Sequence, residues 1–217
     1  MTSLRIDVYT DISCPWCFIG MRRLRGVLDE MAGSVAASVH HHPYLLHPDA
    51  PAEGVDLHAL LKERYGADPR PMFGRVEAAA REAGIPLDLS VQRYSYDTTA
   101  AHTLLRHAAA WGNQVDLEDA LFTAYVLEGR NISDPEVLVE VASRHGFSAE
   151  EVRRLATEPA EAALTRLEAA DAARSGVRGV PLFIFDERIS LSGAQPPELF
   201  RDAIRRVLAA RQRESAA

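Results

Sequence analysis

The chain has 217 residues, 47% of them hydrophobic, and a formal net charge of -7 at pH 7. That length and apolar content suit one packed globular unit or a small unit carrying a substantial insertion. The acidic balance argues against a phosphate-binding surface, so nucleic acid is not an expected partner. No apolar run approaches the ~20 residues of a membrane helix, so no membrane contact is expected.

The first element is a strand. In "LRIDVYT", Leu4, Ile6 and Val8 alternate with Arg5 and Asp7. Asp7 and Asp11 interrupt the apolar run, so the N-terminus does not read as a secretory signal. The expected location is cytoplasmic, a reducing compartment where a permanent disulfide is not expected.

The strand runs into "TDISCPWCFIG", which holds both cysteines of the chain, Cys14 and Cys17. Two cysteines placed at random would show this spacing about once in a hundred. A structural disulfide closing so small a ring contributes about 2 kcal/mol, against about 5 kcal/mol for a ring of about 100 residues. Redox chemistry and metal binding are the remaining readings.

A helix follows, with Pro15 suited to its first position. At helical period, Met21, Leu24, Leu28 and Met31 fall within about 40° of Cys17. Cys17 therefore belongs to a buried stripe. Cys14 sits in the opening turn, off the centre of that stripe, and Pro15, Ile19 and Arg22 point the other way. Arg22 and Arg23 read as a solvated helix face. Free N–H groups and the helix dipole at Cys14 favour an anion, which lowers a thiol pKa from about 8.5 toward about 7. Lower basicity also weakens the nucleophile, so the net gain in attack rate is about threefold. The larger benefit is that Cys14 becomes a better leaving group. On this reading Cys14 is the exposed, attacking thiol and Cys17 the buried, resolving one.

A second strand is expected over about Val35 to Tyr44. There Val35, Ala37 and Val39 alternate, which puts His40 and His42 on the opposite, more polar face. His42 and His47 form an H-x4-H pair. Finger-type zinc sites place about 12 to 15 residues between their halves, far fewer than separate Cys17 from His42. No metal site is assigned.

"LHPDAPAEG" reads as a loop, and from Asp56 to about Ser175 the pattern is almost entirely helical. "DLHALLKERYG" stops at Gly66, "PMFGRVEAAAREAG" at Gly84 and "TTAAHTLLRHAAAWG" at Gly112. Val115 to Leu127 is another helix. "SDPEVLVEVASRHG" opens with Asp134 and Pro135 and stops at Gly146. "SAEEVRRL" carries a capping box, Ser148 with Glu151, and an Ala-rich helix runs to about Arg174.

Then the period changes. "VPLFIFDERISLSG" gives two short strands, about Leu182 to Phe185 and Arg188 to Leu191, joined by a turn at Asp186 and Glu187. A last helix follows, with Phe200, Ile204, Val207 and Leu208 on one apolar face. Strands at both ends with helices between predict one α/β unit, residues 1–50 with 175–217, split by an all-helical insertion, residues 51–174.

A strand leading into CxxC, then "GVRGVP" before a strand pair and a terminal helix, resembles the thioredoxin fold. "DISCPWCFIGMRRL" together with "GVRGVPLFIFDERISLSGAQPPELF" is similar to the DsbA family, specifically its cytoplasmic FrnE-like branch. The resemblance covers essentially the whole chain, and it extends more distantly to the 2-hydroxychromene-2-carboxylate isomerases and kappa-class glutathione transferases.

That resemblance implies several site residues. Val180-Pro181 matches the family's cis-proline loop, with the Val180 backbone open to pair with a bound peptide or thiol and Pro181 keeping metal off the thiols. Pro15 and Trp16 complete the surround, with Trp16 an apolar contact beside Cys14. Periplasmic members often carry histidine at the Trp16 position, whose charge stabilises the thiolate. Trp16 cannot do so, and a less oxidising pair is expected. The turn Ser192 to Pro196 resembles the region that helps hold glutathione in the transferase and isomerase relatives, which makes Ser192 and Gly193 candidate contacts. "YDTTAAHTLL" resembles the family's Asn-Thr-x-x-Ala-His stretch, with Asp97 in place of the Asn. It adds Thr98 and His102 as candidate substrate contacts.

The function implied is thiol–disulfide exchange, with Cys14 attacking and Cys17 resolving. No bound cofactor is expected beyond the redox-active pair, and glutathione stays open as a co-substrate. The expected partners are a disulfide-containing protein or small thiol and an outside thiol reductant or oxidant, since the chain has no further cysteines to relay electrons. The chain itself is expected as a monomer or homodimer. The alternative is a glutathione-dependent isomerase or transferase acting on a small aromatic or polyketide-like compound. Kin enzymes of that type carry serine at the Cys14 position. A protein-binding module that has lost its chemistry is a third reading, opposed by the intact CPWC and Val-Pro.

Overall fold

The computed structural model describes residues 2–215. Strand β1, Thr2–Thr10, lies inside a four-stranded sheet and carries Leu4, Ile6 and Val8 fully buried. It leads into helix α1, Pro15–Met31, and then strand β2, Val35–Pro43, parallel to β1. At the other end of the chain, β5 (Leu182–Phe185) runs antiparallel to β1, and β6 (Ile189–Ser192) runs antiparallel to β5. The sheet order is β2-β1-β5-β6, so β1 takes partners from both ends of the sequence. This is the α/β, thioredoxin-type arrangement that the resemblance implies.

The turn between β5 and β6 is tight. Asp186 and Glu187 have φ of 50° and 58°, the left-handed pair that two-residue hairpin turns favour. Asp186 Oδ1 accepts from Arg5 N at 3.0 Å, which anchors the turn to β1. Arg188 N donates to the Phe185 carbonyl, so Arg188 belongs to the turn and β6 begins one residue later than its pattern predicts.

Between the halves lie a short ladder and a set of helices. β3 (Val55–Asp56) pairs with β4 (Tyr94–Ser95). At two residues each, these strands are too short to leave a period in the sequence, and the helical reading of this stretch missed them. The helices are α2 (Leu57–Tyr65), α3 (Arg70–Glu82), α4 (Thr99–Ala108), α5 (Gln114–Phe122), α6 (Pro135–Ala142), α7 (Ala149–Thr157) and α8 (Pro159–Arg174). The sequence signals for their ends are realised: Gly66, Gly84, Gly112 and Gly146 all have positive φ, and the Ser148 hydroxyl accepts from Glu151 N. The helix expected over Val115 to Leu127 stops at Phe122 and gives way to a π-helical turn, Thr123–Leu127, which points Tyr125 into the core.

The last helix, α9 (Pro197–Ser215), buries Phe200, Ile204 and Val207, with Phe200 edge-on to Phe183 at 4.9 Å between ring centroids. Helix α1 is enclosed on several sides, touching α3, α5, α9 and β2. Two expectations about it are therefore corrected. Ile19 does not face solvent; it is fully buried. Arg23 is no solvated surface group either. Its guanidinium donates to the Ala194 carbonyl at 2.7 Å and the Ala79 carbonyl at 3.2 Å, so it ties α1 to α3 and to the turn after β6. Arg22 stays half-exposed and pairs with Asp119 of α5. Among the described residues no helix is long and apolar enough to cross a membrane.

Candidate active site

The end of β1, the opening of α1 and the start of β5 converge on the two cysteines. Cys14 is the N-cap of α1, with Pro15 in the first turn. The chain reverses between strand and helix through a compact turn in which Cys14 N donates to the Asp11 carbonyl at 2.9 Å. Both cysteines are free thiols. Cys17 is fully buried. Cys14 is only 6% exposed, so it is less open than its place at a helix start predicts. The Val180 carbonyl covers it, a long sulfur contact of 4.0 Å.

The Val180-Pro181 peptide bond is cis. Pro181 is buried, and its carbonyl accepts from Gly193 N at 2.8 Å, which joins the turn after β6 to this loop. Gly193 has φ 81°, a conformation that suits glycine. Gly20, one turn into α1, faces the same loop. A Cβ there would lie 3.0 Å from Phe183 Cζ and 3.1 Å from Pro181 Cγ. Its hydrogen lets α1 pack directly on the loop that covers the thiols. Trp16 is the outermost of these side chains, at 37% exposure.

The electrostatics separate the two sulfurs. Burial pushes the Cys17 thiol well above its ordinary pKa, the adjacent Cys14 sulfur adds to the rise, and an Asp11 main-chain hydrogen bond opposes it. Burial likewise raises Tyr125, with the charges of Asp11 and Cys14 adding, so the phenol stays protonated; its hydroxyl donates to the Tyr94 carbonyl at 3.1 Å.

Four segments meet behind the thiols in a buried polar cluster. Asp11 Oδ2 accepts from Leu46 N at 2.6 Å, and Oδ1 accepts from Ser13 N at 3.0 Å. His102 Nε2 of α4 lies 3.5 Å from Asp11 Oδ1. His102 Nδ1 is 2.9 Å from His41 Nε2 of β2, and His41 Nδ1 is 3.1 Å from Glu118 Oε1 of α5. The Thr10 hydroxyl donates to Glu118 at 2.6 Å. Burial disfavours the Asp11 carboxylate, but His102 and the two N–H donors outweigh it, and its pKa falls below the usual range. Burial also pushes the His102 imidazole down, partly offset by Asp11.

The structure thus brings together Cys14, Cys17, Pro15, Trp16, Val180, Pro181 and, through its backbone, Gly193. Ser192 is exposed beside them. His102 and Thr98 are placed differently from a substrate contact. His102 is fully buried behind Asp11, and Thr98 is 4% exposed with its carbonyl accepting from His102 N. Asp97 binds Thr99 N at 2.8 Å and Arg166 at 2.8 Å, so the Asp at this position serves the start of α4. His42 bonds Asp7 at 2.7 Å and stacks on Tyr9. Among the described residues no group of three His, Cys, Asp or Glu side chains is arranged to hold a metal ion. Sequence reasoning missed Asp11, Gly20, His41 and Glu118.

Residues 5–205 match the family described as the DSBA-like thioredoxin domain. The chain belongs to that family. A probable DsbA oxidoreductase from Streptomyces coelicolor is 29% identical, with 95% of this chain and 90% of that chain covered and a TM-score of 0.83. The cytosolic disulfide reductase DsbM from Pseudomonas aeruginosa, solved with GSH, is 20% identical over 94% of this chain and 99% of that one, at a TM-score of 0.65. A 2-hydroxychromene-2-carboxylate isomerase is 15% identical over 98% and 99%, at a TM-score of 0.73. The last two likenesses bear on the fold alone.

Proposed function

We propose that this DSBA-like chain is a thiol–disulfide oxidoreductase of the FrnE-like, cytoplasmic branch, working through the Cys14–Cys17 pair. The observation that carries it is the asymmetry of two free thiols one helical turn apart, beside the Val180-Pro181 loop whose carbonyl meets Cys14. One thiol opens a helix; the other is fully buried and holds its proton to high pH.

In the reductive direction, the Cys14 thiolate attacks a substrate disulfide. The Cys14–substrate bond forms and one substrate sulfur leaves as a thiolate. Cys17 then loses its proton and attacks Cys14 Sγ. The Cys14–Cys17 bond forms, the second substrate sulfur leaves, and two electrons have passed to the substrate. The Val180 carbonyl, beside Cys14, is the backbone group on which a bound peptide or thiol would pair, and Trp16 supplies apolar contact. Glutathione is the proposed outside thiol that restores the dithiol, with Ser192 and Gly193 at the edge where it would lie. An isomerase that needs only one group at the Cys14 position has no use for Cys17.

Insulin-disulfide reduction by wild type, Cys14→Ser and Cys17→Ala tests the proposal. Activity in wild type and its loss in Cys14→Ser are expected. Full activity in Cys14→Ser would overturn it.

A further inference from the structure

Helix α1 braces the loop over the thiols from two positions three residues apart on one helix face. The first is Gly20, whose missing Cβ lets the helix sit against Pro181 and Phe183. The second is Arg23. Its side chain is 11% exposed, so its charge must be matched by the groups around it. Nη1 donates to the Ala194 carbonyl at 2.7 Å. Nη2 donates to the Ala79 carbonyl at 3.2 Å and lies 3.6 Å from Glu82 Oε2. Both hydrogen bonds run from one rigid, planar group to main-chain carbonyls, so they fix the separation of two pieces of backbone. Ala79 and Glu82 stand in the last turn of α3, where the end of the helix dipole favours a cation.

The Ala194 end leads to the thiols. Gly193 N donates to the Pro181 carbonyl at 2.8 Å, Ser192 pairs with Leu182 across the β5–β6 ladder, and the Val180 carbonyl lies 4.0 Å from Cys14 Sγ. Two further hydrogen bonds stay inside the turn: Gln195 N donates to the Gly193 carbonyl at 2.9 Å, and Gln195 Nε2 to the Ser192 carbonyl at 2.6 Å. These set the shape of the turn. Arg23 sets where it sits against α1 and α3.

We propose that Arg23 is a positioning residue for the exchange reaction. It holds the turn from Ser192 to Pro196, and through it the Val180-Pro181 loop, at the place where the backbone of a peptide disulfide pairs beside Cys14. The inference rests on the oxidoreductase reading. Arg23 acts through main-chain carbonyls and not on the sulfurs. Its loss leaves the attack by Cys14 intact and loosens the surface on which a polypeptide is bound. The substrate class selected is a disulfide carried on a peptide backbone, as in a protein or in glutathione disulfide, over a small disulfide with no amide to pair. Ala79 belongs to the segment between the two halves of the thioredoxin-type unit, so the same side chain couples the placement of α3 to the binding loop.

The test is single-turnover oxidation of the reduced protein, followed by stopped-flow Trp fluorescence. Two substrates are compared, the disulfide of a short cysteine peptide and bis(hydroxyethyl) disulfide. Arg23→Met keeps the length of the side chain and removes both hydrogen bonds. It is expected to raise the peptide concentration that gives the half-maximal rate about tenfold, equivalent to about 1.4 kcal/mol. The limiting rate with the peptide and the rate with bis(hydroxyethyl) disulfide should both stay within about twofold of wild type, since the attacking thiol is unchanged. Arg23→Lys keeps the charge and reaches one carbonyl, so it should restore part of the peptide binding. A merely structural residue would slow both substrates alike. Melting curves check that each variant folds, and Arg23→Lys keeps the test alive if Arg23→Met does not. An unchanged half-maximal concentration for the peptide, or an equal slowing with both disulfides, would overturn the role. If neither disulfide oxidises wild type, the oxidoreductase reading fails, and the role of Arg23 fails with it.

Discussion

Two neighbouring regions of this molecule are built in opposite ways. The thiols come from one local segment, in which a strand end, a turn and a helix start supply Cys14, Pro15, Trp16 and Cys17 in a row. The polar cluster behind them comes from four segments, with Asp11 and Glu118 more than a hundred positions apart and two histidines from β2 and α4 between them. The first region presents a reactive group near the surface. The second buries charge and is viable only because each member satisfies another. A local motif can specify reactive atoms, but their surroundings are set by packing across the fold.

The largest expected effects fall on the local region. Cys14→Ser should reduce disulfide-exchange turnover to background, at least a thousandfold below wild type, because no other thiol can start the reaction. Cys17→Ala should keep the attack and lose the resolution. The expected product is a stable mixed disulfide on Cys14, visible by mass as one substrate adduct per chain, with turnover falling far below wild type. Absence of an adduct on Cys14 in that variant would break the assignment of roles.

A smaller effect joins the two ends of the chain. Gly20→Ala gains about 1 kcal/mol of helix propensity but forces a methyl against Phe183 and Pro181. Overpacking of this kind costs about 1 to 3 kcal/mol. A net loss of about 1 kcal/mol in urea unfolding is expected, with exchange slowed because the Pro181 loop must shift. An unchanged exchange rate would mean that the loop does not govern access to Cys14.

The smallest effect belongs to the buried cluster. The folded pKa of Asp11 lies below its unfolded value of about 3.9. Its contribution to stability is therefore fully present above about pH 4 and is lost as pH falls through the lower, folded value. Thermal melting between pH 5 and pH 2.5 should show a steeper acid decline in wild type than in Asp11→Asn. Equal declines would place the acid sensitivity elsewhere.

These differences also explain what the sequence disclosed. The ends of the thioredoxin-type unit were legible because alternation in β1 and β5, the Gly stops and the proline after Val180 are local signals. The short β3–β4 ladder and the π-helical turn around Tyr125 leave none. Cys17 was placed correctly by helical period. Arg23 and Ile19 were misplaced because α1 is enclosed by α3, α5 and α9, which period alone does not reveal. The site and the cluster behind it left three signals that pattern reading passed over. His41 shares the β2 face of Val35 and Val39. Glu118 stands on the apolar stripe of α5 with Leu121 and Phe122. Gly20 sits in mid-helix, where glycine costs about 1 kcal/mol unless close packing requires it. Each was a polar or small residue where an apolar one was due.

The central claim is that Cys14 and Cys17 form one exchangeable disulfide. Equilibration in glutathione buffers, read by Trp16 fluorescence, tests it most directly. A single reversible two-electron transition is predicted, with a midpoint well below the about -120 mV of DsbA and toward the about -270 mV of thioredoxin, because Trp16 brings no charge to stabilise the Cys14 thiolate. No transition over the whole buffer range, with both thiols still free by alkylation, would contradict the account.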